Sequence, residues 1–256
     1  MGIDLYTCVL DWEEFKDLQL SFLKASTPDS EIPSDHAIVS LMRQMARKIG
    51  VRYILSGCNL RTESHLPAAW SQGHEDWRYI RSIHKQFGTA ALRSYPHMAF
   101  WAREFYRLTQ EWIDILNYLD YSKQDAIPVL EREIGWKYYG GKHYESIYTR
   151  WYQGYWLPRK FGYDKRRTHM SSLICSGEMT RAAALSALDQ PTYPPALQEE
   201  DTAYVVKKFE ITEAELDRIL KLPPKTYWDY PSYGRLRKTP AFRAFRGVYR
   251  AVQHRV

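Results

Sequence analysis

No stretch of this 256-residue chain approaches the roughly 18 consecutive apolar residues of a membrane-crossing helix, and no basic segment leads into an apolar one at the N-terminus. The expectation is a cytoplasmic protein without membrane insertion. Cysteine is scarce: Cys8, Cys58 and Cys175 lie far apart with no Cys-x-x-Cys pair, which argues against a disulfide framework and against a sequence-local zinc site. No metal ligands are expected. Gly-x-Ser-x-Gly and His-Glu-x-x-His are both missing, so serine-hydrolase and zinc-protease readings are weak. There is no internal repeat and no low-complexity tract.

What is present is ordinary globular material, with 45% hydrophobic and 26% charged residues and an aromatic share of 15% that supplies bulk for a core. The length suits one large domain or two small ones. The formal charge of +6 is unevenly spread. Between Trp136 and His169 eight basic residues face Glu145 and Asp164, and between Lys225 and Val256 eight face Asp229 alone. These two zones carry +6 and +7, so the rest of the chain is net −7 and an anionic ligand or surface is expected at one or both.

The pattern along the chain predicts α/β organisation followed by helices. Ile3 to Leu10 is a β-prone run, and Asp11 with Glu14 three places on is a capping-box pattern that starts a helix bearing Phe15, Leu18 and Phe22. Asp35 reads as the N-cap of a second helix with Ile38, Leu41, Met42, Met45 and Ile49 on one face, closed by Gly50. Val51 to Leu55 is a compact strand, and strand–helix–strand alternation implies a parallel sheet whose ligands bind at the carboxyl ends of its strands. Helices are expected over 77–87, over 100–116 as one long element, from Ser122 with Pro128 inside, and over 144–156, 165–175, 178–188, 203–209 and 212–222. The expected divisions are a partial α/β nucleotide-binding domain over 1–90, a helical substrate- and phosphate-binding region over 91–222, and a basic tail over 223–256.

Three stretches concentrate chemistry. The turn Ser56-Gly57-Cys58-Asn59-Leu60-Arg61-Thr62-Glu63 leaves a buried strand, and its glycine permits close backbone approach to a nucleotide or polar substrate. Gly140-Gly141-Lys142-His143 resembles a phosphate loop but is not a Walker A motif, because neither the earlier glycine nor the following Ser or Thr is there. Beyond it, Ser146, Arg150 and Gln153 share a helix face, where Arg150 can clamp an anion and His143 can move a proton. Lys160, Lys165, Arg166 and Arg167 crowd around Gly162, a density of cations that suits polyphosphate. Each has a plainer alternative: a strand-to-helix turn, a helix-start turn, and a solvated basic face.

Taken together, Ile32-Pro33-Ser34-Asp35-His36-Ala37-Ile38, Leu55 to His65, Tyr139 to Ser146 and Leu157 to Arg167 closely resemble the N-acetyl sugar amidotransferases of lipopolysaccharide and O-antigen biosynthesis. The resemblance runs to about Tyr233. It implies the C-terminal part of a PP-loop ATP pyrophosphatase domain, an adenine nucleotide alpha hydrolase-like parallel sheet, followed by a mainly helical region. The implied activity is ATP activation of a sugar N-acetyl oxygen as an adenylate, displaced by ammonia to leave an acetamidino group on a nucleotide-activated sugar. ATP, with Mg2+, is the implied cofactor. The implied partners are a glutaminase and a cyclase-like ammonia-channel protein.

On that resemblance Ser56, Gly57, Asn59, Lys160, Lys165 and Arg166 face the nucleotide, and Asp35, His36, Arg61, Glu63, Lys142 and Arg150 face the sugar. His143, Glu145 and Lys165 carry the chemistry. The family's Ser-Gly-Gly-Lys-Asp-Ser signature is absent from this sequence, so the expectation is a fragment, a chain completed by a separate N-terminal PP-loop half as a further partner, or a chain that has lost activity. Two other readings stand beside this one: an inactive subunit that docks the glutaminase–channel complex, and an RNA-binding PP-loop relative that uses the basic, Tyr- and Phe-bearing tail.

Overall fold

A computed structural model of the chain describes residues 2–142, 144 and 146–239, without the side chain of Arg237. In chain order its elements are α1 (Trp12–Ala25), α2 (Ile32–Ile49), β1 (Tyr53–Ser56), α3 (Leu60–Glu63), α4 (Trp77–Phe87), α5 (Phe100–Thr109) and β2 (Glu111–Asp114). There follow α6 (Lys123–Ile134), α7 (Ile147–Trp151), α8 (Leu157–Phe161), α9 (Lys165–Cys175), α10 (Arg181–Leu188), α11 (Pro195–Phe209), α12 (Glu213–Leu220) and α13 (Tyr233–Arg237). No helix among the described residues is long and apolar enough to cross a membrane.

The chain divides into two compact units. The first comprises residues 2–41, Gln72–Phe105 and the described residues from Lys225 onward. Its core is built from Leu18, Phe22 and Ala25 of α1, Ile32 and Ala37 of α2, Tyr79, Ile80 and Ile83 of α4, and Tyr95 and Tyr230. Asp11 caps α1 by accepting the amide of Glu14, as the sequence pattern requires. Two acids on α1 then tie down the segment after α4. Asp17 accepts the amides of Thr89 and Ala90 and pairs with His84 Nε2 at 2.9 Å, while Glu14 accepts those of Ser94 and Tyr95. Asp76 caps α4 through Oδ1 and receives the Tyr227 hydroxyl and the Tyr233 amide on Oδ2, so one carboxylate holds two distant segments. Gly73 sits at φ +104°, and a Cβ there would lie 2.7 Å from the Tyr79 ring.

The second unit comprises Met42–Ser71 and Tyr106–Pro224. Here β1 and β2 pair in parallel, with Tyr53 opposite Glu111 and Ser56 opposite Asp114. The short helix α3 packs against α9. From Ile147 to Phe161 the backbone is helical throughout, with a π-helical turn over Tyr152–Trp156 between α7 and α8. Pro158 explains that turn. In a regular helix its ring would strike the carbonyl of Gly154, four residues back; the widened turn frees that carbonyl, which accepts the Thr192 hydroxyl at 2.6 Å. Gly154 itself must be glycine, because a Cβ would stand 2.6 Å from the Tyr193 ring. Trp151, Tyr152, Trp156 and Leu157 are fully buried along this helix.

Three expectations from the sequence need correction. Residues 3–10 form no strand, and Ile3, Leu5, Tyr6 and Val9 are exposed; a β-prone run becomes a strand only where another strand is in reach to pair with it. The long helix expected over 100–116 stops at Thr109, because Glu111 to Asp114 are taken up by pairing with β1. Asp35 lies inside the first turn of α2, which begins at Ile32 with Pro33 next, a position where a missing N–H costs nothing. The expected strand at 51–55 is present, two residues later, and the helices at 77–87 and 165–175 have the expected bounds.

Candidate functional site

Because β1 and β2 run parallel, their carboxyl ends lie side by side, and the polar groups of the second unit gather there. Ser56 ends β1, and its hydroxyl accepts the Cys58 amide at 3.0 Å. At Gly57 nothing lies within 4 Å of the place a Cβ would occupy, so this backbone is open to a ligand. Asn59 is the N-cap of α3, and its Oδ1 accepts the amide and hydroxyl of Thr62. The α3 amide of Leu60 is satisfied by Asn117, from the turn after β2. Arg61 donates to Asp120 at 2.7 Å and to the Tyr121 carbonyl at 2.8 Å. Glu63 receives Lys142 at 3.2 Å, which joins the Gly140-Gly141 turn to the same end of the sheet.

The helix α9 holds this cluster from behind. His169 Nδ1 donates to the Thr62 carbonyl at 3.1 Å, and the buried Ser172 hydroxyl accepts the His65 amide at 3.3 Å. Just beyond α9, the amides of Glu178 and Met179 fold back onto the Leu173 carbonyl. Burial raises the Tyr121 phenol above its ordinary value, and the neighbouring charges of Glu178 and then Glu63 add to that rise.

The cations expected at a triphosphate are placed differently from one another. Lys160 is buried, and its three N–H donors go to the carbonyls of Ile219, Leu220 and Leu222 at 2.7–2.9 Å. It finishes α12 by supplying partners to carbonyls that a helix end leaves unpaired. Burial pushes its ammonium down to about 8. Arg166 is held by Asp164 and points its Nη1 at the carbonyls of Ala187, Gln190 and Pro191, closing α10 in the same way. Lys165 opens α9 behind its N-cap Asp164. Arg150 forms a two-pronged pair with Asp201 at 2.6 and 2.7 Å, and Asp201 is 2% exposed. Of the nucleotide-facing set, Ser56, Gly57 and Asn59 share the turn after β1, whereas Lys160 and Arg166 are spent on main-chain carbonyls. His143 and Glu145 lie outside the described residues.

In the first unit, His36 is fully buried. A main-chain N–H can only donate and a carbonyl only accept, so the Met98 amide on Nε2 and the His74 carbonyl on Nδ1 identify a neutral ring with its proton on Nδ1. Burial pushes its pKa down to about 4, in keeping with a ring that is neutral at neutral pH. Asp35 stands 3.4 Å from His74, and Asp29 stands at the same distance on that ring. Burial opposes charge on His74, but the two carboxylates outweigh it and lift the pKa to about 10. Trp77 stacks on His97 at 4.3 Å.

Reading the sequence missed Asn117, Asp120, Tyr121 and Asp201. The first three would have come from the same strand-end logic had β2 been recognised inside the supposed long helix. Among the described residues no group of three His, Cys, Asp or Glu side chains is arranged to hold a metal ion.

Residues 145–243 match the family model described as "LPS biosynthesis protein WbpG-like, C-terminal domain". This segment is similar to that domain. The match covers less than half of the chain, from just before α7 to beyond α13, and places lipopolysaccharide biosynthesis as the setting of the proteins it resembles. Within the WbpG-like segment lie the Arg150–Asp201 pair, Lys160, Lys165, Arg166 and Glu178, while Ser56 to Glu63 and Lys142 precede it. Comparison with curated proteins gives no match, and comparison with solved structures gives none.

Proposed function

We propose that this chain is part of an ATP-dependent amidotransferase of lipopolysaccharide or related surface-sugar synthesis, one that converts the N-acetyl group of a nucleotide-linked sugar to an acetamidino group. The observation that carries the reading is the meeting of an open glycine turn, Arg61, Glu63 and Lys142 at the carboxyl ends of two parallel strands, in a chain whose following segment is WbpG-like. Ligands in open parallel sheets bind at that end.

In this reading Ser56 and Gly57 lie along the nucleotide, Lys165 bears on phosphate charge, and Arg61, Glu63 and Lys142 contact the sugar. ATP, as co-substrate, supplies the adenylyl group that makes the amide oxygen a leaving group; ammonia from a glutaminase and a cyclase-like channel protein takes its place. Arg150 serves this site indirectly by holding α7 against α11 through Asp201. A Ser-Gly-Gly-Lys-Asp-Ser loop from outside these residues completes the nucleotide grip. Support for such a missing segment comes from β1, where Tyr53 is 55% and Leu55 62% exposed, since parallel sheets are normally covered on both faces.

The test is mass spectrometry of an acetamido sugar nucleotide incubated with ATP, an ammonium salt and this chain, with and without a polypeptide bearing the missing loop. Exchange of one oxygen for one NH, with AMP and pyrophosphate formed in step, is the expected result. ATP turnover with an unaltered sugar, or no turnover with the loop supplied, overturns the reading.

A further inference from the structure

The strand-end cluster contains one acidic group to which neither the resemblance nor the family match gives a role. Glu178 follows α9 directly, past Gly177, and its amide is fastened to Leu173. The same helix is pinned to α3 through His169 on Thr62 and Ser172 on His65, so the end of α9 is held beside the end of α3 where Glu63 meets Lys142. Glu178 Oε1 is buried from solvent and has no hydrogen-bond partner. A carboxylate oxygen withdrawn from water without a donor is costly and uncommon in a folded protein. Two other acids at this strand end are already engaged, Asp120 by Arg61 and Glu63 by Lys142.

We propose that Glu178 is a further ligand-contacting residue of the strand-end site, with its buried oxygen accepting a hydrogen bond from an N–H or O–H of the bound molecule. The inference rests on the proposed function for the location of the site, and it narrows the ligand chemistry. A lone carboxylate oxygen rejects phosphate and accepts a hydroxyl-bearing sugar or an ammonium ion. Glu178 is accordingly placed on the sugar or ammonia side and away from the triphosphate. Tyr121, whose phenol feels the charges of both Glu178 and Glu63, is the natural reporter.

The chain labelled with 3-fluorotyrosine gives a Tyr121 fluorine resonance that Tyr121→Phe assigns. Ammonium chloride, with potassium chloride as control, and UDP-N-acetylglucosamine are titrated separately into wild type, Glu178→Gln and Glu178→Ala. The expected result is a saturable shift of the Tyr121 signal by one of the two probes, weakened at least tenfold in both variants, and the responding probe names the donor. Equal affinity in wild type and variants, or no response to either probe in wild type, overturns the proposal whatever the turnover assay yields. Far-UV circular dichroism of the variants separates a lost contact from a lost fold, with Gln as the near-isosteric control. A normal Glu178-dependent response with no sugar conversion would sink the proposed reaction and leave this contact standing.

Discussion

Replacing Arg150 with Met asks whether this guanidinium serves the fold or a ligand. Its side chain is 18% exposed, and it meets Asp201, 2% exposed, through two short bonds of 2.6 and 2.7 Å. Removing one partner of such a pair strands a buried carboxylate, which costs about 3–5 kcal/mol. Tyr193 keeps a hydroxyl 3.3 Å from Asp201 Oδ2 and relieves part of that cost, so the lower end of the range, about 3 kcal/mol, is expected. At about 2–4 °C per kcal/mol for a chain of this size, the melting temperature should fall by roughly 6–12 °C. Urea unfolding followed by tryptophan fluorescence is the direct assay, because Trp151 and Trp156 are fully buried on the same helical stretch. Arg150→Met with Asp201→Leu should recover at least half of the loss, since an apolar pair of similar volume needs no charge partner. If Arg150→Met unfolds within about 0.5 kcal/mol of wild type while affinity for a sugar nucleotide collapses, the structural account is wrong.

Lys160→Met should destabilise the second unit by about 2–4 kcal/mol, because three carbonyls lose their donor together, and should leave nucleotide affinity unchanged; lost affinity at unaltered stability would return Lys160 to the ligand. For His74 the folded pKa of about 10 lies above the ordinary 6.5, so its contribution is complete below about pH 6.5 and drains away as pH rises through 10. Thermal unfolding across that range should show a decline that His74→Phe abolishes, and a wild-type profile parallel to that of the variant would refute the Asp29–His74–Asp35 link. Hydrogen bonds from Thr89, Ala90 and His84 outweigh burial and hold the Asp17 carboxyl below its ordinary 3.8. Stability from Asp17 is therefore present above about pH 3.8 and lost as pH falls through the folded value, so Asp17→Asn should flatten the acid limb of the stability curve.

Much of the local structure was legible because it is decided within a few residues. Asp11 and Ser122 each cap a helix with the amide three places on, a relation written in the spacing itself, whereas Ser146 and Thr180 turn out to cap helices expected to begin two residues before them. The turn from Ser56 to Glu63 was recognisable as a strand-end turn because an apolar run precedes it, and the structure ends β1 at Ser56. Elsewhere the composition misled. A crowd of cations from Lys160 to Arg167 reads as a phosphate grip, yet two of them close helix ends contributed by residues 187–191 and 219–222.

Helix positions and caps such as Asp11 thus follow from short-range order, since each hydrogen bond involved closes a loop of three or four residues; the strand after α2 was visible as an apolar run, but its partner β2 lies far along the chain. The strand inside the supposed long helix, the role of Arg150, the tasks of Lys160 and Arg166 and the neutral state of His36 were decided by tertiary contacts. Their partners lie from about 20 to more than 60 residues away, and whether a charged side chain spends its donors on a carbonyl or keeps them for a ligand depends on which distant backbone arrives beside it.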